Sequence, residues 1–333
     1  MGRPIVAALL ALSAAAARAE PVVIKLATLA PAGSPWHDAL RELAARWEAA
    51  SAGQVRLRVY PGGVQGNEGE MLRKLAVGQL QAAALSNVGM HDLVTEPQAF
   101  SVPLLFADDA EMACAFEREK PALEAALRAR GYEVLQWSRL GAASLFCTAP
   151  FRTPAELANA RIFAWDGDPG TVKAWRAAGL RPVVLSSTDL LPSLGTGMID
   201  CVAHLPVYML ASRAFERARY HHDVAWGHLV GATLVRADAW ERIPAELRGR
   251  LVGIAAEVAA RIESELQRLD ADARKAMAGQ GLVTVAVVPA EWRSTLERSW
   301  PVLRGEVVPA AFFDEVRSAR DACRASASRS AAR

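Results

Sequence analysis

Lysine is scarce in this chain. Of its 38 basic residues five are lysine (Lys25, Lys74, Lys120, Lys173 and Lys275) and the other 33 are arginine. Beside so much alanine, that skew reads as coding bias rather than as a binding surface. Charge of one sign is also missing: 38 basic against 36 acidic residues leave +2. Nucleic acid would want a clustered basic face, so none is expected as a partner. Cysteine is limited to Cys114, Cys147, Cys201 and Cys323, at wide spacings without C-x-x-C or a zinc-ligand pattern. In apolar settings such as SLFCTA and MIDCVA they read as small core residues, with pairing permitted but not indicated. Beyond the N-terminus no uncharged apolar run reaches the 18–20 or so residues that span a bilayer.

Catalytic motifs are absent as well. There is no H-E-x-x-H, G-x-S-x-G or P-loop, and no G-x-G-x-x-G after a strand. PGGVQG follows a strand-like run but lacks the Lys-Ser/Thr that completes a phosphate cradle. His221, His222, Asp223 and His228 form the one histidine-rich cluster. Neighbours on a strand point to opposite faces, so these read as surface or loop histidines, and no metal or cofactor is expected. Without a nucleophile–base constellation, a binder is favoured over an enzyme.

What is present begins with the first nineteen residues. Arg3 precedes an apolar run from Ile5 to Ala17, and Ala17-Arg18-Ala19 supplies an A-x-A exit. Basic start, short apolar run and small-residue exit describe a secretory signal peptide cleaved after Ala19, leaving a mature chain of zero formal charge. At 333 residues and 52% hydrophobic, with mean hydropathy +0.12, the chain suits about two domains and excludes disorder.

Strand-like and helix-like segments then alternate, as in α/β folds. VVIKLATL, VRLRVY, YEVLQWS, AASLFCTA, RIFAW, RPVVLS, MIDCVAHLP and GATLVRADAW read as strands. FRTPAEL carries an N-terminal capping box, with Thr153 as cap, Pro154 first and Glu156 third. One long helix is expected from Pro244 to about Gly279. No low-complexity linker separates the halves, so the chain is expected to cross between two lobes more than once, as in a hinged clamp.

IKLATLAPAGSPWHDALRELAARW, VRLRVYPGGVQGNEGEMLRKLAVGQLQAA, FRTPAELANARI and STDLLPSLGTGMID, in that order, resemble the DctP family. These are the periplasmic solute-binding subunits of TRAP (tripartite ATP-independent periplasmic) transporters. The resemblance runs from Ile24 to about Pro289. It implies an α/β, two-lobed periplasmic-binding-protein-like clamp with a central cleft and a long bracing helix. It also implies capture of a small organic ligand, delivery to membrane permease subunits and a periplasmic location. Residues 20–141 and about 229–260 would form lobe I, 142–228 and about 261–322 lobe II, and 323–333 a frayed tail. The competing readings are a binder of an organic acid or dicarboxylate as in the main family, an exported ligand sensor and, less favoured, an exported enzyme.

The departures from the family pattern bear on the ligand. Most members hold an organic acid with an arginine in a K-I-R-V-P strand; here that stretch reads Arg161-Ile162-Phe163-Ala164-Trp165, so Phe163 takes the arginine's place. A second arginine's place falls near Ala142. Period two puts Phe163 and Trp165 on one strand face, an aromatic wall suited to apolar or ring-bearing ligands, with lobe core as the alternative. Arg139 is the cation that could swing in to hold an acid. Ser34, Trp36, Asn67, Glu68 and Asn87 are further cleft candidates from loops after strands. His204, at a position where the family often has a ligand-meeting asparagine, and Tyr208 one turn on, complete the set. Asp166 and Asp168 read as turn and helix-start residues.

Overall fold

The computed structural model describes residues 20–186 and 189–331. The proposed signal peptide lies outside the described residues. Among them, no helix is long and apolar enough to cross a membrane. The first part of the chain holds β1 (Val22–Thr28), α1 (Pro35–Ala50), β2 (Val55–Tyr60), α2 (Glu68–Ala76), β3 (Ala82–Ser86) and α3 (Asp109–Ala129). The middle holds β4 (Tyr132–Cys147), α4 (Pro154–Leu157), β5 (Arg161–Trp165), α5 (Pro169–Ala177), β6 (Arg181–Leu185), α6 (Leu190–Thr196), β7 (Cys201–His204) and α7 (Pro206–Ala211). Then come β8 (Tyr220–Arg236), α8 (Ala237–Glu241), α9 (Ala245–Gly279), β9 (Val283–Val285), α10 (Pro289–Leu296), α11 (Trp300–Val302) and α12 (Ala310–Ala331).

The strands form one sheet in the order β2-β1-β3-β8-β4-β7-β5-β6, with β9 beside β8. Two long antiparallel strands make both lobes. The start of β4 and the end of β8 pair with each other and, through β8, with β3 on the first-lobe side. The end of β4 pairs with β7, and the start of β8 with β9, on the second-lobe side. The segments YEVLQWS and AASLFCTA, read above as two strands, are thus one strand. It stays continuous by bulging, with register shifts at Val134/Gln136, Arg139/Gly141 and Ala143/Leu145. Gly141 sits at the middle bulge with φ 108°, a left-handed conformation that a side chain would strain.

A large core runs from Met71, Leu85 and Phe100 to Ile162, Trp175 and Trp292, across both lobes, and each lobe also closes on a smaller one. In the first, Ile24, Leu26, Leu43, Trp47 and Val55 pack with Leu251, Ala255, Val258, Ile262 and Leu266 of α9. Trp47 Nε1 donates to Leu251 O at 3.0 Å, which fixes α1 on the bracing helix. In the second, Phe146, Phe163, Leu194, Ile199, Val202 and Phe215 pack with Met277, near the far end of the same helix. At 1.5 Å per residue, 35 residues reach about 50 Å, long enough to brace both cores.

Several expectations are corrected by long-range contacts. All four cysteines are bonded, Cys114 to Cys323 and Cys147 to Cys201, because α3 meets α12 and because Cys147 and Cys201 face each other across β4 and β7. The histidines are not superficial: His221, His222 and His228 lie on β8 at 3%, 0% and 1% exposure, covered by neighbouring elements. Over its described part the C-terminal segment is helical, α12 running to Ala331, and Cys323 ties it to α3. Ile262 and Leu266 of α9 pack with Ile24 and Trp47, and α12 packs on α3. The Thr153–Glu156 capping box forms as expected.

Candidate ligand-binding cleft

Parallel strands β1, β2 and β3 of the first lobe, and β5, β6 and β7 of the second, end at loops where α/β proteins place ligands. The rims meet: a Cβ built on Gly167, after β5, would lie 3.9 Å from Cγ1 of Val88, after β3. Two surface recesses, of about 460 Å³ between α3 and α12 and about 400 Å³ beside Gln81 and Arg236, lie on outer faces and include none of the candidate residues.

The first-lobe candidates are largely occupied by local structure. Ser34 caps α1 by accepting from His37 N, and its own hydroxyl donates to Pro31 O. Asn67 caps α2 and exchanges side-chain bonds with Glu70, Oδ1 accepting from Glu70 N and Oε2 of Glu70 accepting from Asn67 N. The N-x-x-E spacing that signals a capping box was legible here too, as it was at Thr153. Glu68 reaches the end of β3, accepting from Ser86 N at 2.6 Å and Ser86 Oγ at 2.7 Å. Burial raises its pKa above the usual range, against the pull of those bonds. Asn87 donates to Ser101 Oγ, yet its Oδ1 is buried without a protein partner. Trp36 packs against the first-lobe core, and its Nε1 is likewise buried and unpartnered.

Second-lobe candidates touch one another instead. Phe163, 2% exposed, stands in the second-lobe core with Phe146, Leu194 and Met209, while Trp165 covers that core at the strand end. Period two on β5 brings the two rings edge to face at 5.5 Å. Trp165 meets His204 at 5.8 Å, and His204 stacks on Tyr208 at 3.7 Å and 18°. The i, i+4 step from the end of β7 into α7 makes that stack. His204 Nδ1 accepts from Leu205 N at 2.9 Å, and burial lowers its pKa to about 3.

The cations near the sheet are committed elsewhere. Arg139 does not swing toward the strand ends: Nη1 bonds Glu117 at 3.1 Å and Nε bonds Glu263. Arg161, two residues before Phe163, is bidentate on Asp200 at the start of β5 and β7. Asp168 caps α5 through Thr171 N, as expected for a helix-start residue. A contact that the sequence reading missed is His228 Nε2 with Asp109 Oδ1 at 3.1 Å, tying β8 to the start of α3 and holding the Asp109 carboxyl below its usual range. No group of three or more His, Cys, Asp or Glu able to hold a metal occurs among the described residues.

The model for bacterial extracellular solute-binding protein, family 7 (DctP), matches residues 26–305. The chain belongs to the DctP family. Its fold is that of the two-lobed TRAP periplasmic solute-binding proteins. It is 24% identical over 283 residues to the C4-dicarboxylate-binding periplasmic protein DctP of Rhodobacter capsulatus, covering 84% of this chain and 85% of that one. Over 191 residues it is 24% identical to the uncharacterized protein YiiZ of Salmonella typhimurium, covering 56% of this chain and 58% of that protein's length. A TRAP solute-binding protein of Roseobacter denitrificans, solved with bound β-D-glucuronate, superposes with a TM-score of 0.81 at 16% identity, covering 89% of this DctP-family chain and 99% of that one.

Proposed function

We propose that the protein is the exported, periplasmic solute-binding subunit of a TRAP-type transporter. It captures a small organic ligand between its lobes and hands it to membrane permease subunits. It has no enzymatic step of its own. Export rests on the Arg3–Ala19 leader pattern, and the capture role on family membership and fold. Lobe I is built on residues 20–141 and lobe II on 142–228, with α9 and the C-terminal segment shared between them. Closure by lobe rotation would couple occupancy to a shape that a permease can recognise.

We further propose that the ligand is largely apolar or ring-bearing. One observation carries this: the row Trp165–His204–Tyr208 at the second-lobe strand ends, with Phe163 where most of the family has an arginine. A carboxylate brought into a cleft needs a charge-assisted partner. An apolar body against these rings gains roughly 25 cal/mol per Å² buried. Trp36, Asn87 and Tyr208 would line the cleft with the ring row, while Ser34, Asn67 and Glu68 shape its first-lobe rim.

A second reading, an organic acid, is favoured by the named ligands of relatives, C4-dicarboxylates and glucuronate. Mass spectrometry of the ligand that copurifies, followed by calorimetry with it and with succinate, decides between them. Micromolar succinate binding that survives Phe163→Ala would overturn the apolar assignment and leave the transport role standing.

A further inference from the structure

His204 is fixed in one protonation form by its own backbone. The N–H of Leu205 donates to its Nδ1 at 2.9 Å, so the Nδ1 lone pair is occupied and the ring hydrogen resides on Nε2. Forming an imidazolium would require breaking that bond while the ring is packed between Trp165 and Tyr208. Titratable groups on the packed elements do not favour the cation. Tyr208 is the neutral ring of the stack, its phenol pushed up by burial. Asp270 of α9, the helix against α7, engages Val207 N at 3.4 Å and Arg274 at 3.0 Å rather than the imidazole. No protein acceptor for Nε2 occurs among the described residues, and Nε2 is not among the sealed, unpartnered atoms of the interior.

The unmet polar atoms at the opposite rim are uncharged too. Trp36 Nε1 is a donor and Asn87 Oδ1 an acceptor, both buried without a protein partner. Buried polar atoms in folded proteins are almost always bonded, so each calls for a ligand or water group of matching type. Arg139 is paired with Glu117 and Glu263, and Arg161 with Asp200 at the far end of β5.

We propose that His204 meets the ligand as a neutral donor through Nε2–H, and that the ligand group it selects is an uncharged oxygen, a carbonyl or hydroxyl on an apolar or planar body, rather than a carboxylate. This rests on the solute-binding function proposed above and narrows the ligand class of that same site. The ring stack orients the donor, because rotating the imidazole would break both the Tyr208 overlap and the Leu205 bond.

Acetophenone and benzoate form a near-isosteric probe pair, one ending in a neutral carbonyl and the other in a carboxylate. Calorimetry on the full exported chain is expected to favour acetophenone at least tenfold, with affinity unchanged between pH 5.5 and 8. His204→Phe, which keeps the stack and removes the donor, should weaken acetophenone about tenfold and leave benzoate unaffected. Histidine ¹⁵N NMR of the unsubstituted chain should show His204 as the Nε2–H tautomer without titration down to pH 5, a readout independent of how any variant folds. A preference for benzoate, or a His204 ring titrating near pH 6.5, would overturn the inference and leave the solute-binding function intact. Binding of succinate or glucuronate but neither aromatic probe would overturn both the inference and the apolar assignment. A chain that binds none of the four overturns the inference together with the ligand class it rests on.

Discussion

At the first-lobe rim Ser34 caps α1, Asn67 and Glu70 cap α2 together, and Glu68 holds Ser86. At the second-lobe rim Trp165, His204 and Tyr208 touch chiefly one another. Ser34, Asn67 and Glu68 thus spend their polar side chains within the first lobe, whereas Trp36 Nε1 and Asn87 Oδ1 stay unmet. The second presents rings with one free donor. Residues of similar sequence appearance thus divide by role: substitutions at the first rim should register in stability, and those at the second-lobe ring row in binding.

The largest expected effect tests where that division falls within β5. Phe163→Ala removes a side chain 2% exposed in the second-lobe core and should cost about 3–5 kcal/mol in chemical denaturation. Trp165→Ala, at the partly exposed strand end, should weaken the copurified ligand more than it lowers stability. A Phe163→Ala chain of unchanged stability but lost affinity would move Phe163 from core to ligand wall.

The disulfides come next. Loss of Cys147–Cys201 by double alanine substitution should destabilise by about 2–4 kcal/mol, since it ties β4 to β7 across a 54-residue separation. Loss of Cys114–Cys323 should cost a similar amount and free α12 first, seen as faster amide exchange confined to that helix. Uniform exchange along the chain would show that α12 is held by packing alone.

His222 gives a pH prediction in the second lobe. It is fully buried against Trp292, and burial lowers its pKa to about 4. Between the ordinary value of 6.5 and about 4 the unfolded chain takes up a proton that the folded chain refuses. Its stabilising contribution is therefore complete above pH 6.5 and is lost as pH falls toward 4, a change of about 2–3 kcal/mol. Denaturation midpoints of the unsubstituted chain and His222→Phe, compared across that window, should show a shallower slope for the variant. The smallest effect is at the first rim. Asn67→Ala should cost about 1 kcal/mol in stability through the lost cap, with ligand affinity changed less than twofold. A larger affinity loss would show that Asn67 also reads the ligand.

Much of the frame was legible because it is local. The Thr153–Glu156 box, the helix start at Asp168 and the long helix α9 follow from patterns within a few turns of chain. The Asn67–Glu70 box was equally legible, but the polarity of Asn67 and Glu68 after a glycine-rich loop drew them toward the cleft instead. Sequence separation hid the rest: nothing near Cys147 announces Cys201, and nothing near Arg139 announces Glu263.

The sequence by itself determined the α/β alternation, the helix caps, and the presence of Phe163 and Trp165 two positions apart on one strand. These depend on residue type and on spacings of two to four positions, which propensity and periodicity read directly. Only the tertiary structure decided that β4 and β8 run unbroken between lobes, which cysteines pair, and that three histidines of β8 are buried. Each of those depends on which distant segment packs alongside, and it is that neighbour, through burial, bonding and excluded water, that sets the chemistry of the side chain it covers.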